Sequence, residues 1–390
     1  MDKLNKNITK LYLLDIFSST QFQSVVAVLF LLAKGFNLGQ VLLFGSIYAA
    51  GALVSEIPTG SISDKYGRKT SLILSTLIEL PAFIIVILSH SFVLIGIMYF
   101  IFGIAASFTS GTDTAMLYDT LKGIGKEDDF KKINGKLKWY GAWGGAIGGI
   151  IGAFLAKYNL AYAWWAWAGV LVIMLFIQLS LTEPAKAYAK KTNTYLKNIG
   201  QSLKVAFRGE ASFFILYAAI IWFFFWLGWS LWQPYLKLTN LPVVYFGFFY
   251  AGVSLISGFV SKQAHLIEKK IGVRLSLFLI PIFLAIALIL ESRIVLVFSF
   301  LFIAIQAVAS GYFGPITDDY VNHRVSSESR ATVLSVKNMI SRLIFMVFSP
   351  LVGYFSNLYS LQTALMMVGV ILIIVSIIFL IYSKSSLRNA

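Results

Sequence analysis

Twelve apolar runs recur along the chain, at residues 11–33, 39–61, 70–89, 92–118, 135–157, 161–181, 211–235, 244–264, 274–291, 294–316, 333–356 and 361–383. A helix of about 20 residues, rising ~1.5 Å per residue, crosses the ~30 Å hydrocarbon layer of a bilayer, so each run predicts a membrane-spanning helix. Most connections are short. The segments 119–134, 182–210 and 317–332 are longer and rich in charged or polar residues, and the middle one separates six runs from six. The pattern predicts an all-α membrane protein of twelve transmembrane helices in two pseudo-symmetric six-helix bundles: an N-terminal bundle at 1–181, a central linker at 182–210 and a C-terminal bundle at 211–390. The first run follows the charged MDKLNKNITK and is too long for a signal-peptide core, so it is expected to be retained.

A weak internal repeat supports this division. Ser110, Gly111, Tyr118, Asp119, Thr120 and Leu121 stand at the end of span four; 200 residues later come Ser310, Gly311, Asp318, Asp319, Tyr320 and Val321. The same offset carries span four onto span ten. A six-span unit used twice in one orientation is a plan of transporters whose site lies at the repeat interface.

Composition makes lipid the main solvent. Of the 390 residues, 58% are hydrophobic and 13% charged, against roughly 45–50% and 25% in soluble domains. This excludes an ordinary soluble nuclease, kinase or dehydrogenase. The chain has no cysteine, which removes disulfides, thiolate metal sites and cysteine nucleophiles, and His90, His265 and His323 are too scattered for a histidine-rich metal site. There is no phosphate-cradling glycine loop with Lys and Ser/Thr, so nucleotide hydrolysis is not the expected energy source and neither a cofactor nor an enzymatic activity is expected.

The net charge of +15 matters through its placement. Segments that share a side with the N-terminus carry 27 Lys and Arg; the opposite side carries Lys34, Lys157, Lys237 and Arg293, and Arg342 sits inside span eleven. The positive-inside bias therefore predicts both termini in the cytoplasm, in a multi-pass protein of the cytoplasmic membrane. Cations spread over every loop on one side give no nucleic-acid-binding face.

The most specific string is Gly60-Ser61-Ile62-Ser63-Asp64-Lys65-Tyr66-Gly67-Arg68-Lys69, after span two. Gly60 lets a helix backbone approach closely, Asp64 puts a carboxylate at the membrane face, Gly67 permits a tight turn, and Arg68 and Lys69 stay in water. This string resembles the signature of the major facilitator superfamily, Gly-x-Leu-Ala/Ser-Asp-Arg/Lys-x-Gly-Arg-Arg/Lys, with Ile62 in place of Leu. The resemblance covers nearly the whole chain through its six-plus-six plan. It implies that Asp64 and Arg68, with Asp119 at the end of span four, form a conformational gate that holds the halves together on the cytoplasmic side. The second-half loop ending in Lys269, Lys270, Ile271, Gly272, Val273 and Arg274 has no matching Asp and reads as a degenerate copy; Asp319 is a candidate partner for Arg274.

In span five, Gly141, Gly144, Gly145, Gly148, Gly149 and Gly152 recur every three or four residues, a spacing that lets a neighbouring helix pack closely. The stretch Gly144 to Gly149 is similar to the family's exporter signature Gly-Pro-x-x-Gly-Gly, with Gly145 in place of the proline. Tight packing without an exporter role is the competing reading. Family exporters often carry an arginine in span four; Tyr99, four residues before Gly103, stands there.

An ionisable group at a helix centre costs at least roughly 2.5–3.5 kcal/mol on insertion scales, so such residues usually face a cavity or each other. Asp15, Glu79 and Asp113 are the candidates for proton coupling. Asp15, Ser19 and Gln23 on span one, Trp222 and Trp226 on span seven, and Arg342 are the candidates for a substrate cavity, with Trp229 and Gln233 extending the aromatic row toward the outer boundary. Glu56 and Arg342 are a candidate ion pair between the bundles.

Taken with the resemblance, these residues imply a secondary transporter, acting as a monomer, that moves a small molecule by alternating access, with the proton as coupling ion. Export of an amphipathic drug or metabolite is the favoured direction. An uptake symporter for a polar or anionic solute, with Arg342 as its partner, is the first alternative; a lipid-handling or receptor-like protein on the same fold is the other.

Overall fold

The computed structural model describes residues 2–184, 211–324 and 327–386, with side chains described at 4–184, 212–317 and 336–381. Within these limits the chain is helical, with three short 3-10 turns and no strand. Eleven helices are long and apolar enough to cross a membrane, and a bent pair at the N-terminus makes a twelfth. The fold is thus that of a twelve-span helical membrane protein. The linker lies outside the described residues beyond 184, as do the side chains of Asp318, Asp319 and Tyr320.

Spans two and three run over Leu38–Tyr66 and Arg68–Leu88, five and six over Phe130–Tyr158 and Leu160–Ser180. Spans seven to twelve run over Ala211–Leu238, Val244–Ile271, Val273–Arg293, Phe300–Arg324, Ser327–Leu358 and Leu361–Ser386. Two spans depart from the straight helices that hydropathy predicts. Span one is Asp2–Thr20, a 3-10 turn at Phe22–Val25 and Ala27–Ala33, bent by 41°. The 41° bend falls between Val25 and Ala27, and the helix is already broken at Gln21. Just before that break, Ser18 Oγ donates to Asp15 O at 3.1 Å and Thr20 Oγ1 to Phe17 O at 2.8 Å. Hydroxyls that bond carbonyls three residues back compete with the helix ladder, and Gln21 then takes a φ of 24°. Span four is broken between Phe92–Thr109 and Thr112–Gly123 by Gly111, whose φ of 73° suits glycine.

The contacts divide the chain into two units: residues 1–36, 44–192 and 242–251 form the first; 37–43, 193–241 and 252–390 form the second. This division is interleaved, because the start of span two belongs to the second unit and the start of span eight to the first. At the former, Asn357 Nδ2 donates to Asn37 Oδ1 at 2.8 Å.

In the first unit, the span-five glycines pack on span one. A Cβ added at Gly144 would meet the backbone of Ile16, one at Gly148 the backbone of Thr20 and one at Gly152 the backbone of Phe22. Gly149 faces Tyr250, and Gly145 is looser, with Ser19 O at 3.4 Å from the added atom. Below this seam Leu11, Leu14, Leu72, Met116, Leu117, Leu121, Leu137 and Leu181 form a buried apolar cluster. Asn7 then ties the first helix to the end of span six, donating to Thr182 O at 2.7 Å and accepting from Thr182 N at 3.0 Å.

In the second unit, large side chains of span seven are buried. Trp232, Tyr217 and Tyr235 are essentially buried, and each tyrosine satisfies its hydroxyl, Tyr217 on Leu277 O at 2.6 Å and Tyr235 on Ile294 O at 2.7 Å. The repeat positions have diverged in use. Gly111 breaks its span, whereas Gly311 lies within a continuous helix and lets the backbone of Ser257 approach.

Candidate functional site

Five spans of the first unit frame a cleft of about 90 Å³. Span one contributes Asp15 and Ser18; span three Ser75, Thr76 and Glu79; span four Thr109, Asp113 and Thr114; span five Asn134 and Lys138; span six Gln178. All three candidate coupling acids therefore share one cavity, although they come from three different spans.

The carboxylates are arranged around Lys138. Its Nζ lies 3.3 Å from Asp15 Oδ1 and 3.9 Å from Asp113 Oδ2. The Asp15 side chain is 13% exposed and that of Lys138 57%. An ion pair with so exposed a partner contributes only about 0–1 kcal/mol, so the Lys138 ammonium is held loosely. Asp113 also accepts from its neighbour's backbone, Thr114 N, at 2.7 Å. Gln178 is 3% exposed, and its Oε1 has no hydrogen-bond partner. A buried amide oxygen left unsatisfied costs about 1–3 kcal/mol, which singles it out.

Gly141 makes room for this arrangement. A Cβ there would collide with the Asp15 carboxylate and stand 2.9 Å from Ser19 Oγ. Asp15 and Ser19 thus lie against span five. Gln23 departs from the expected stripe: it sits in the 3-10 turn beyond the helix end, 9% exposed, with its Oε1 unpartnered. The cause is the helix break at Gln21, which ends the 3.6-residue periodicity on which a continuous stripe depends.

At the loop after span two, Arg68 Nη1 donates to Asp64 Oδ1 at 2.8 Å and to Ser63 Oγ at 3.1 Å, and Arg68 Nε lies 3.6 Å from Asp119 Oδ2. Asp64, Arg68 and Asp119 are together. Lys65 lies over the ring of Tyr66, 5.0 Å from its centre, and nothing lies within 4 Å of a Cβ added at Gly60. Sequence reasoning passed over Glu183, whose carboxylate accepts from Arg68 N at 2.7 Å and Lys69 N at 2.8 Å. It thereby caps the start of span three, where free N–H groups and the helix dipole favour an anion. Gly67 is required twice over, by a φ of 108° and because a Cβ would stand 2.6 Å from Glu183.

The second unit holds the aromatic candidates. Trp222, Trp226 and Arg342 line one cleft together with Phe223, Asn338, Ser341 and Phe345. Trp222 and Trp226 also face a second, apolar cleft with Trp229, Trp232 and Gln306. Gln233 is buried instead of facing outward. Glu56 and Arg342 belong to different units. Tyr99, at the position where exporters carry arginine, stacks on Phe44 with ring centres 5.2 Å apart.

Besides Glu183, three functional candidates escaped sequence reasoning. Lys138 reads as one more loop cation, and Gln178 as a polar residue near a span end. Glu291 reads as an interfacial acid, yet it is 1% exposed and accepts from Gln306 Nε2 at 2.6 Å. Among the described residues, no group of three or more His, Asp and Glu is placed to hold a metal ion.

Eleven apolar helices with a bent pair as a twelfth span, two helical units and a cleft lined by acids from three spans define a polytopic helical membrane protein. The Major Facilitator Superfamily model matches residues 11–302, and the chain belongs to that superfamily. In three dimensions it is similar to the nucleoside transporter NupG, with a TM-score of 0.83 and 13% identity over 97% of this chain and 99% of that one. A bacterial homologue of the human lysosomal transporter Spinster, inward-facing and unoccupied, gives 0.74 and 16% over 98% and 96%. A POT family transporter in complex with a thioalcohol-conjugated peptide gives 0.73 and 11% over 98% and 96%. Direct sequence comparison with curated proteins finds no match.

Proposed function

We propose that this superfamily member is a proton-coupled exporter of an amphipathic small molecule, a drug or metabolite, working as a monomer in the cytoplasmic membrane with both termini in the cytoplasm. The observation that carries this reading is the gathering of Asp15, Glu79 and Asp113 in one cleft. Coupling needs a carboxylate that takes a proton from one side and releases it on the other, and a site shared by a proton and a substrate exchanges one for the other. Asp15, faced by Lys138 and Asp113, and Glu79 are the assigned carriers. Asp64, Arg68 and Asp119, with Gly60, Lys65, Gly67 and Lys69 in the same turn, serve as the gate, since a charge-assisted cluster at a helix end biases a two-state structure. The glycine seam of span five supports export. Uptake of an anionic solute is the second reading, favoured by Arg342 in a cleft with Trp222, Trp226, Asn338 and Ser341.

Proteoliposomes with an imposed proton gradient test the coupling. Gradient-driven flux of the transported solute should fall at least about tenfold in Asp15→Asn or Glu79→Gln, an effect of ~1.4 kcal/mol. Flux that ignores the gradient and is unchanged in both variants rejects the assignment.

A further inference from the structure

The first-unit cleft holds three carboxylates, Asp15, Glu79 and Asp113, against one ammonium, that of Lys138. Asp15 and Asp113 alone, the two that face the ammonium, outnumber it, so the charge is unbalanced in favour of a second cation. The ammonium already present is poorly anchored: Lys138 is the most exposed member of the group, and it reaches Asp15 and Asp113 at 3.3 and 3.9 Å. Asp15 is the opposite, 13% exposed and confined by Gly141. A second, independent feature is Gln178, which lines the same cleft, is 3% exposed and offers an Oε1 that accepts from nothing. Both features ask for the same chemistry, a positive group that carries N–H donors.

We propose that this cleft within the first unit binds an organic cation with N–H donors, an ammonium or guanidinium, and that Lys138 is a tethered occupant that fills the cation's place until the substrate displaces it. The incoming N–H groups bond Asp15 and the orphaned Gln178 Oε1, and Lys138 swings out to solvent, where an exposed lysine is well hydrated. Such an occupant keeps Asp15 from standing uncompensated in the empty cleft, the state that buried charge makes costly. It also sets a threshold, because a ligand must compete with a group of the same charge present at high effective concentration. A permanent cation without N–H gains the charge attraction but leaves Gln178 unsatisfied. The substrate class rests on the transport reading above, whereas binding itself does not.

The test is a calorimetric titration of the detergent-purified full chain with benzylammonium, benzyltrimethylammonium and phenylacetate. Benzylammonium is expected to bind Lys138→Gln about tenfold more tightly than the unsubstituted protein, and adding Asp15→Asn to that variant is expected to abolish the gain. Gln178→Met, close in volume, should weaken benzylammonium but leave benzyltrimethylammonium within about twofold. Benzylammonium affinity that is the same in Lys138→Gln as in the unsubstituted protein, or phenylacetate binding that disappears in Lys138→Gln, overturns the proposal. Repeating the titration in phosphatidylcholine nanodiscs with and without phosphatidylethanolamine separates a soluble amine from a lipid headgroup as the source; loss of the Lys138→Gln gain in both overturns the site. Cation binding with gradient-independent flux would reject the coupling alone, and gradient-driven flux without cation binding would reject this inference alone.

Discussion

Gly67 and Gly272 stand at matching turns before spans three and nine, and both take positive φ, 108° and 75°. Around Gly67 the turn is crowded: the Glu183 carboxylate caps Arg68 N and Lys69 N, and Arg68 reaches Asp64 and Asp119. Around Gly272 nothing lies within 4 Å of an added Cβ. The contrast extends to the acids of the units. The first gathers Asp15, Glu79 and Asp113 in one cleft and packs span five on span one through glycine, whereas in the second Glu291 is buried against Gln306. Matching turns thus carry a charged cluster in one half and open space in the other.

The sharpest way to break this comparison is the glycine seam. Gly148→Ala should destabilise the first unit by about 2–3 kcal/mol, because the added Cβ meets span-one backbone that cannot rotate away. Gly258→Ala in the second unit meets open space and should stabilise its helix by about 0.5–1 kcal/mol. Thermal unfolding of both in the same detergent checks the pair; equal shifts would dissolve the distinction.

Next in size is the buried acid of the second unit. Glu291→Leu strands the Gln306 amide and should lower stability by about 1–2 kcal/mol, while Glu291→Gln keeps an acceptor and should stay within ~0.5 kcal/mol. If Glu291→Gln instead removes proton-driven flux while leaving the melting point alone, the ionisable machinery is not confined to the first unit.

Smallest is the helix cap. Glu183→Ala should cost about 0.5–1 kcal/mol, the usual loss of an N-terminal capping side chain, read as a lowered melting point. A loss several times larger would mean that the capped turn, with Arg68 and Asp119, holds the first unit together more widely than a local cap does.

Asp15 and Glu79 stood out in the sequence because a carboxylate inside an apolar run is costly and needs a reason. The motif stood out because its glycines and charges follow one another along the chain. Lys138 did not, since a lysine at the edge of span five looks like every other loop cation until the fold turns it toward Asp15. Gln178 and Glu291 were hidden for the same reason: polar residues near a span end gain meaning only from what surrounds them. The break in span one was invisible as well, because hydropathy continues across Gln21 while the α-helix does not.

Sequence alone determined that the chain is a bundle of apolar helices long enough to cross a bilayer, and the membership of a superfamily whose signature lies in one contiguous loop, because the thickness of a bilayer and the local geometry of a turn are imposed on neighbouring residues. Only the tertiary structure decided which helix the span-five glycines grip, that three acids from three spans share a cleft with Lys138, and that Glu183 caps span three. Those pairings include residues more than 100 positions apart, 123 for Asp15 and Lys138, and no local periodicity records a contact that arises only when separate helices pack.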